Sequence, residues 1–231
     1  ASGSGTAVID GHPTVDVDGD GSADNIYVTD AHAFFSIDES SGQASPRREI
    51  VDTAKCLTCH QNLVLHGSNR ADNVESCVTC HNPRNTDRGV RGIANTPPTD
   101  GKQEQTINFT NMVHGIHAAA LLENPIQIVG FRGFNTYVYD EEHVQYPGNL
   151  SNCTTCHAGS SYELPLASTV LGTTIDTGSD RESQVDDVVV SPESNVCSSC
   201  HDSVKAKEHM ETNGGSFATS QEALDDGTVI E

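Results

Sequence analysis

The chain has no tryptophan, and aromatic residues of all kinds make up only 5% of its 231 positions. Hydrophobic residues together reach 35%. Rings and branched aliphatics fill most protein interiors, so side chains alone are thin material for a core of this length. A disordered chain is a poor reading too. There is no long low-complexity tract, and Gly, Asn and Asp fall where turns belong. The interior calls for something other than side chains.

Positive charge is also scarce: 12 Lys and Arg stand against 33 Asp and Glu, for a net charge of −21. Phosphate recognition needs clustered cations, so nucleic acid is excluded as a partner. An acidic surface of this kind suits solubility in salt, or attraction to cationic surfaces and mineral. No apolar run approaches the length of a membrane span. The opening "ASGSGTAVIDGHPTVDVDGDG" lacks the basic end and long apolar stretch of a signal peptide. It reads as the start of a mature chain, or of one cut from something longer.

No cysteine is left over. All eight fall into four boxes of one form, Cys-x-x-Cys-His. They are Cys56–Cys59–His60, Cys77–Cys80–His81, Cys153–Cys156–His157 and Cys197–Cys200–His201. With 11 histidines in 231 residues, a histidine after all four pairs is not chance. This box is the attachment signature of c-type haem. The two thiols form thioethers with the vinyl groups, and the next residue is held beneath the ring to ligate the iron. Paired CxxC units can instead hold zinc, but that leaves four adjacent histidines unexplained. A redox dithiol needs a thioredoxin-like context, which is missing. Four haem c groups would also supply the interior that the composition lacks.

Seven histidines remain for the second axial positions: His12, His32, His66, His114, His117, His143 and His209. Only Met112 and Met210 could serve in their place, so bis-histidine ligation is favoured. His66 lies just after the first box, and Gly67 allows a tight turn there. His114 and His117, in "NFTNMVHGIHAAALL", share one face of an expected helix capped by Thr110 or Asn111. His209 lies on a helical stretch after the fourth box, closed by Gly214–Gly215. His12, His32 and His143 are the spares.

The chain divides into two expected parts. Residues 1–50 carry no box, and "TAVID", "NIYVTD" and "HAFFSID" read as short strands. Asp16, Asp18, Asp20 and Asp24 match the early positions of a calcium loop, with Gly21 at its bend. Tyr27 stands where the bidentate acid belongs, so Ca2+ competes there with a plain turn. Residues 51–231 form the tetrahaem part, in which "NTPPTDGKQEQ" reads as an exposed loop. The expected fold class is a multihaem cytochrome c: a small N-terminal β-segment, then a loop-rich, partly helical domain packed around four covalent haems.

"RREIVDTAKCLTCHQNLVLHGSNRADNVESCVTCHNPRNTD" resembles outer-surface decahaem cytochromes of the OmcA/MtrC type. So do "DVDGDGSADNIYVTDAHAFFSID", "MVHGIH", "YPGNLSNCTTCH" and "VCSSCHDSVKAKEHMETNGGSF". The likeness runs over nearly the whole chain, to the last third of such proteins. It implies alternating β- and pentahaem domains, and electron transport at the outer cell surface to acceptors such as iron and manganese oxides. It also implies distal ligation by His66, His114, His117 and His209. A fifth box would be expected just after "DDGTVIE" and is absent, as is the earlier half of the pattern. The chain is expected to be either a fragment or a short tetrahaem relative. A short relative could stack into a conducting filament (a nanowire), with His12 ligating a haem of the next copy. The rival reading is a multihaem reductase of a small oxyanion with one open haem site. No separate nucleophile–base pair or carboxylate dyad stands out.

Overall fold

The structure, a computed structural model, describes residues 3–37, 44–220 and 223. These fall into two compact units. The first takes the described residues up to Cys80, together with Asn152–Glu163; the second takes His81–Ser151 and the described residues from Leu164 on. The division falls inside the second box, between Cys80 and His81. The expected parts, 1–50 and 51–231, were drawn from where haem attaches, whereas these units follow the packing of the polypeptide alone.

The first unit opens on an antiparallel pair, β1 (Ser4–Ile9) and β4 (Ala31–Ser36), in register from Ser4↔Ser36 to Ile9↔Ala31. Between them lies a short ladder of β2 (Thr14–Val15) and β3 (Asp24–Asn25). "NIYVTD" does not continue as a strand. After Asn25 the chain leaves the ladder, and the Asp30 amide donates instead to the Ala71 carbonyl at 3.0 Å. The expected third strand, "HAFFSID", forms as β4 and starts one residue early, at Ala31; its last expected residue, Asp38, lies outside the described residues. Helix α1 (Thr53–Cys56) is capped by Asp52, whose carboxylate accepts from the Ala54 amide at 2.8 Å. A tight hairpin, β5 (Val64–Leu65) and β6 (Arg70–Ala71), leads into α2 (Val74–Cys80). Ala71 and Val74 are the buried hydrophobics of this unit.

The second unit holds α3 (Arg88–Arg91), α4 (Phe109–His117), α5 (Pro192–Ser198) and α6 (Val204–Thr212). A hairpin of β7 (Ile126–Val129) and β8 (Thr136–Tyr139) and a three-stranded sheet complete it. The sheet runs in the order β11 (Thr219–Ser220), β10 (Val188–Val190), β9 (Thr173–Asp176). Val90, Ala118, Ala119, Ile128, Val129, Val189 and Val190 are buried here, alongside an extensive polar set. Arg91, 6% exposed, uses every donor of its guanidinium. It bonds Asp87 at 2.7 Å, the Gln127 carbonyl at 2.9 Å, the Lys102 carbonyl at 3.1 Å and both oxygens of Asp100. Asp87 in turn accepts from the Gln105 and Val129 amides at 2.7 and 2.9 Å. The loop through residues 95–105 is therefore not wholly exposed. Arg91 draws Asp100 inward, and Glu104 and Gln105 are buried. The last stretch read from the sequence, "DDGTVIE", lies outside the described residues.

Candidate haem-binding centres

Each box is wound as one helical turn. The amides of His60, His157 and His201 donate to the carbonyls of Cys56, Cys153 and Cys197 at 3.0, 3.0 and 2.9 Å. Box 2 sits at the end of α2. Winding puts cysteines three apart on one face, with the histidine a turn beyond the first thiol. That is the arrangement a haem c needs, and the donor set fits it. A cysteine–zinc site does not fit. Among the described residues, no group of three Cys or His ligand atoms comes within 4.8 Å. Burial also raises the thiols of Cys56 and Cys156, and burial with the nearby Asp30 charge pushes Cys77 up to about 11. A thiol is also the group that adds across a haem vinyl to form a thioether.

The first unit gathers boxes that are far apart in sequence. The Asp52 amide donates to the Cys156 carbonyl and the Ala158 amide to the Ile50 carbonyl, both at 3.0 Å. Val51 and His157 form an antiparallel bridge. The first box is tied to the second as well, since the Val74 amide at the head of α2 reaches Thr53 Oγ1 at 3.4 Å. Boxes 1 and 3 and the cysteines of box 2 thus share one unit.

The hydrogen bonds also fix histidine tautomers. His81 Nδ1–H donates to the Ile107 carbonyl at 2.9 Å. His157 Nδ1–H donates to Ser161 Oγ at 3.1 Å, because the Ser161 hydroxyl spends its own proton on the Ile50 carbonyl at 2.5 Å. In both, the lone pair is left on Nε2, the ligating form. Burial lowers the pKa of both rings, which favours the neutral ligand, although the Ile107 and Ile50 carbonyls partly offset it. No local sequence pattern points to Ser161 or to these carbonyls.

Among the candidate distal ligands, His114 and His117 lie on α4, whose N-cap is Asn108 rather than Thr110 or Asn111. The Asn108 side chain accepts from the Thr110 amide at 3.3 Å. His117 Nδ1–H bonds the Val113 carbonyl at 2.7 Å, and Tyr146 meets its ring edge-on at 5.6 Å. Gly115, between the two histidines, lets α4 pack closely. A Cβ there would run into the Ile126 side chain and stand 3.5 Å from the Ser199 carbonyl. Asn111 reaches Ser199 Oγ at 3.2 Å, so α4 packs against the turn that carries box 4. Asp202, next after His201, accepts from the Glu123 and Asn124 amides at 2.9 and 2.8 Å, anchoring that box. His209 is exposed on α6, which is capped by Ser203 and ends before Gly214–Gly215. His66 tips the β5–β6 hairpin with φ +56°, followed by Gly67 at +71°.

The spares are disposed differently. Asn73 Nδ2 donates to His32 Nδ1 at 3.0 Å. The amide's orientation is fixed by its bond to the Asp30 carbonyl at 2.7 Å. His32 therefore carries its proton on Nε2 and is held as a structural residue. His143 Nδ1 pairs with Asp140 at 2.6 Å on the surface. His12 is half-buried, with its Nδ1 atom shielded from solvent. Of the calcium candidates, Asp16, Asp18 and Asp20 place carboxylate oxygens within 4.8 Å of one another. Asp24 stays outside that group and accepts from the Val17 amide at 3.3 Å. The Gly19 and Gly21 amides already occupy the Asp16 carboxylate at 2.7 and 3.0 Å.

The model of the outer membrane cytochrome MtrC/MtrF-like family, domains II/IV, matches residues 48–228. Among solved structures, the crystal structure of the outer membrane decaheme cytochrome OmcA is similar at 20% identity and a TM-score of 0.46. The match covers 85% of this chain but only 24% of that one, so the chain spans about a quarter of its length. No curated protein matches the chain.

Proposed function

Because the chain belongs to the outer membrane cytochrome MtrC/MtrF-like family, we propose that it is an electron-transfer protein of the outer cell surface, exported through the periplasm. It carries four covalent c-type haems, and its electrons go to metal oxides or other external acceptors. They arrive from, or leave to, other multihaem cytochromes or further copies of this chain. When bound, each haem supplies a one-electron iron couple. The polypeptide holds and orients these groups and excludes water from them.

The convergence of boxes 1 and 3 with Cys77 and Cys80 in one unit carries this reading. Packing attachment turns together across about a hundred residues of sequence serves a purpose if electrons must pass between them. His60, His81, His157 and His201 are the proximal ligands in this account, with His66, His114, His117 and His209 opposite them. Residues 51–231 form the haem-bearing domain and residues 1–50 its β-segment. No helix among the described residues is long and apolar enough to cross a membrane. Nothing in the geometry favours the reductase, which needs a haem without a distal ligand.

The test is a spectroscopic redox titration of the purified protein, joined to reduction of ferric oxide. Four low-spin haems, and reduction rates that fall as salt screens the acidic surface, support the reading. One high-spin haem that binds a small oxyanion would replace it with the reductase. Polymer seen in micrographs would point to the filament form.

A further inference from the structure

Residues 50–52 are joined to the third box by two main-chain hydrogen bonds of 3.0 Å, by the Val51–His157 bridge, and by Ser161, whose hydroxyl stands between the His157 ring and the Ile50 carbonyl. Lys55 adds a charged link. Its ammonium donates to the Thr154 carbonyl at 3.0 Å and to the His157 carbonyl at 2.5 Å. The residue that immediately precedes Cys56 thus lays its charge on the backbone of the residue that supplies the third proximal imidazole. The two attachment turns are clasped by one side chain.

We propose that Lys55 is a positioning residue shared by the first and third haem boxes, holding the two turns together and, as a fixed cation, raising the reduction potential at both. The proposal rests on the reading that both boxes carry haem.

Three observations support it. The Thr154 carbonyl lies in a single 3-10 turn, Cys153–Thr155, and the His157 carbonyl two residues past it, where carbonyls have few intrahelical donors. An ammonium satisfies two of them at once. The acid nearest along the chain, Asp52, is committed elsewhere: it caps α1 through the Ala54 amide at 2.8 Å. Cations are also scarce in a chain with net charge −21, so a single Lys near two redox groups stands out against its background. Reduction adds one electron to a haem. A nearby cation stabilises the reduced state, and more strongly where water is partly excluded, as at this half-buried side chain.

The experiment uses the holoprotein with Lys55→Met, which keeps the aliphatic stem and removes the charge, and Lys55→Arg, which keeps the charge. Intact mass comes first. A wild-type protein without haem at box 1 or box 3 would refute the underlying reading of the function. With both haems present, a redox titration that resolves each haem by its NMR signals tests Lys55 itself. At low salt, Lys55→Met should lower the potentials of the first and third haems, by roughly tenfold in each reduction equilibrium. The fourth haem should not move, and Lys55→Arg should stay with wild type. If Lys55→Met does not fold, Lys55→Gln keeps one donor for the carbonyls without the charge, and it must show the same downward shift. Unchanged potentials, an equal shift of all four haems, or an arginine variant that behaves like methionine would each overturn the proposal.

Discussion

The two units solve the problem of a sparse hydrophobic inventory in opposite ways. The second unit builds a core from its own side chains. Its buried valines, alanines and Ile128 surround a saturated polar hub at Arg91, Asp87 and Asp100. Only one complete box, that of Cys197, Cys200 and His201, belongs to it. Among its described residues the first unit buries little hydrophobic side chain beyond Ala71 and Val74, and it brings together two complete boxes and the cysteines of another. Where one box is present the polypeptide supplies the interior. Where several converge it buries little of its own, and the proposed function makes the haems the apolar filling there.

The contrast can be broken most severely at its polar hub. Arg91→Met leaves Asp87 and Asp100 as uncompensated buried carboxylates, and the expected loss is about 3–5 kcal/mol. Chemical denaturation followed by the fourth haem's signal should show it. A variant as stable as wild type would mean that the hub does not hold the second unit. A comparably large effect is expected in the first unit from a different cause. Cys56→Ser with Cys59→Ser should remove one haem and make residues 44–80 sensitive to protease, while the second unit stays protected. Equal protection in both units would refute the idea that haem is the filling of the first.

A smaller effect is expected at the helix interface. Gly115→Ala forces the Ile126 side chain aside, at about 1–3 kcal/mol and towards the low end, because that methyl can turn away. His114→Ala and His117→Ala should each leave one haem five-coordinate. Unchanged low-spin spectra in both would remove these residues from the ligand set. The smallest effect belongs to the Asp16–Asp18–Asp20 loop. Chelation should loosen residues 10–30 without altering any haem spectrum if Ca2+ is held there. Identical proteolysis with and without chelator would leave a turn satisfied by its own amides.

The family was legible because the Cys-x-x-Cys-His box is five contiguous residues whose order alone announces it, and the match over residues 48–228 bears that out. Helix α4 and the tight turn at Gly67 were legible for a similar reason, since local propensity and φ preference decide them. The cap was misassigned because Asn108, Thr110 and Asn111 are all competent and only the tertiary course of the chain selects among them. The tautomers of His81 and His157 depend on acceptors brought from Ile107, and from Ser161 backed by Ile50, which no local pattern announces. The loop through residues 95–105 looked exposed because turn residues fill it. A buried arginine, rare by composition, reverses that by capturing Asp100. Lys55 was equally silent, as its partners lie about a hundred residues away.

The central claim is that four boxes hold four haems covalently, and intact mass of the denatured protein tests it most directly. The account predicts a single species heavier than the polypeptide by four haem c groups, retained through acid-acetone extraction because thioethers do not dissociate. A bare polypeptide mass after extraction, or zinc in place of haem, would contradict it.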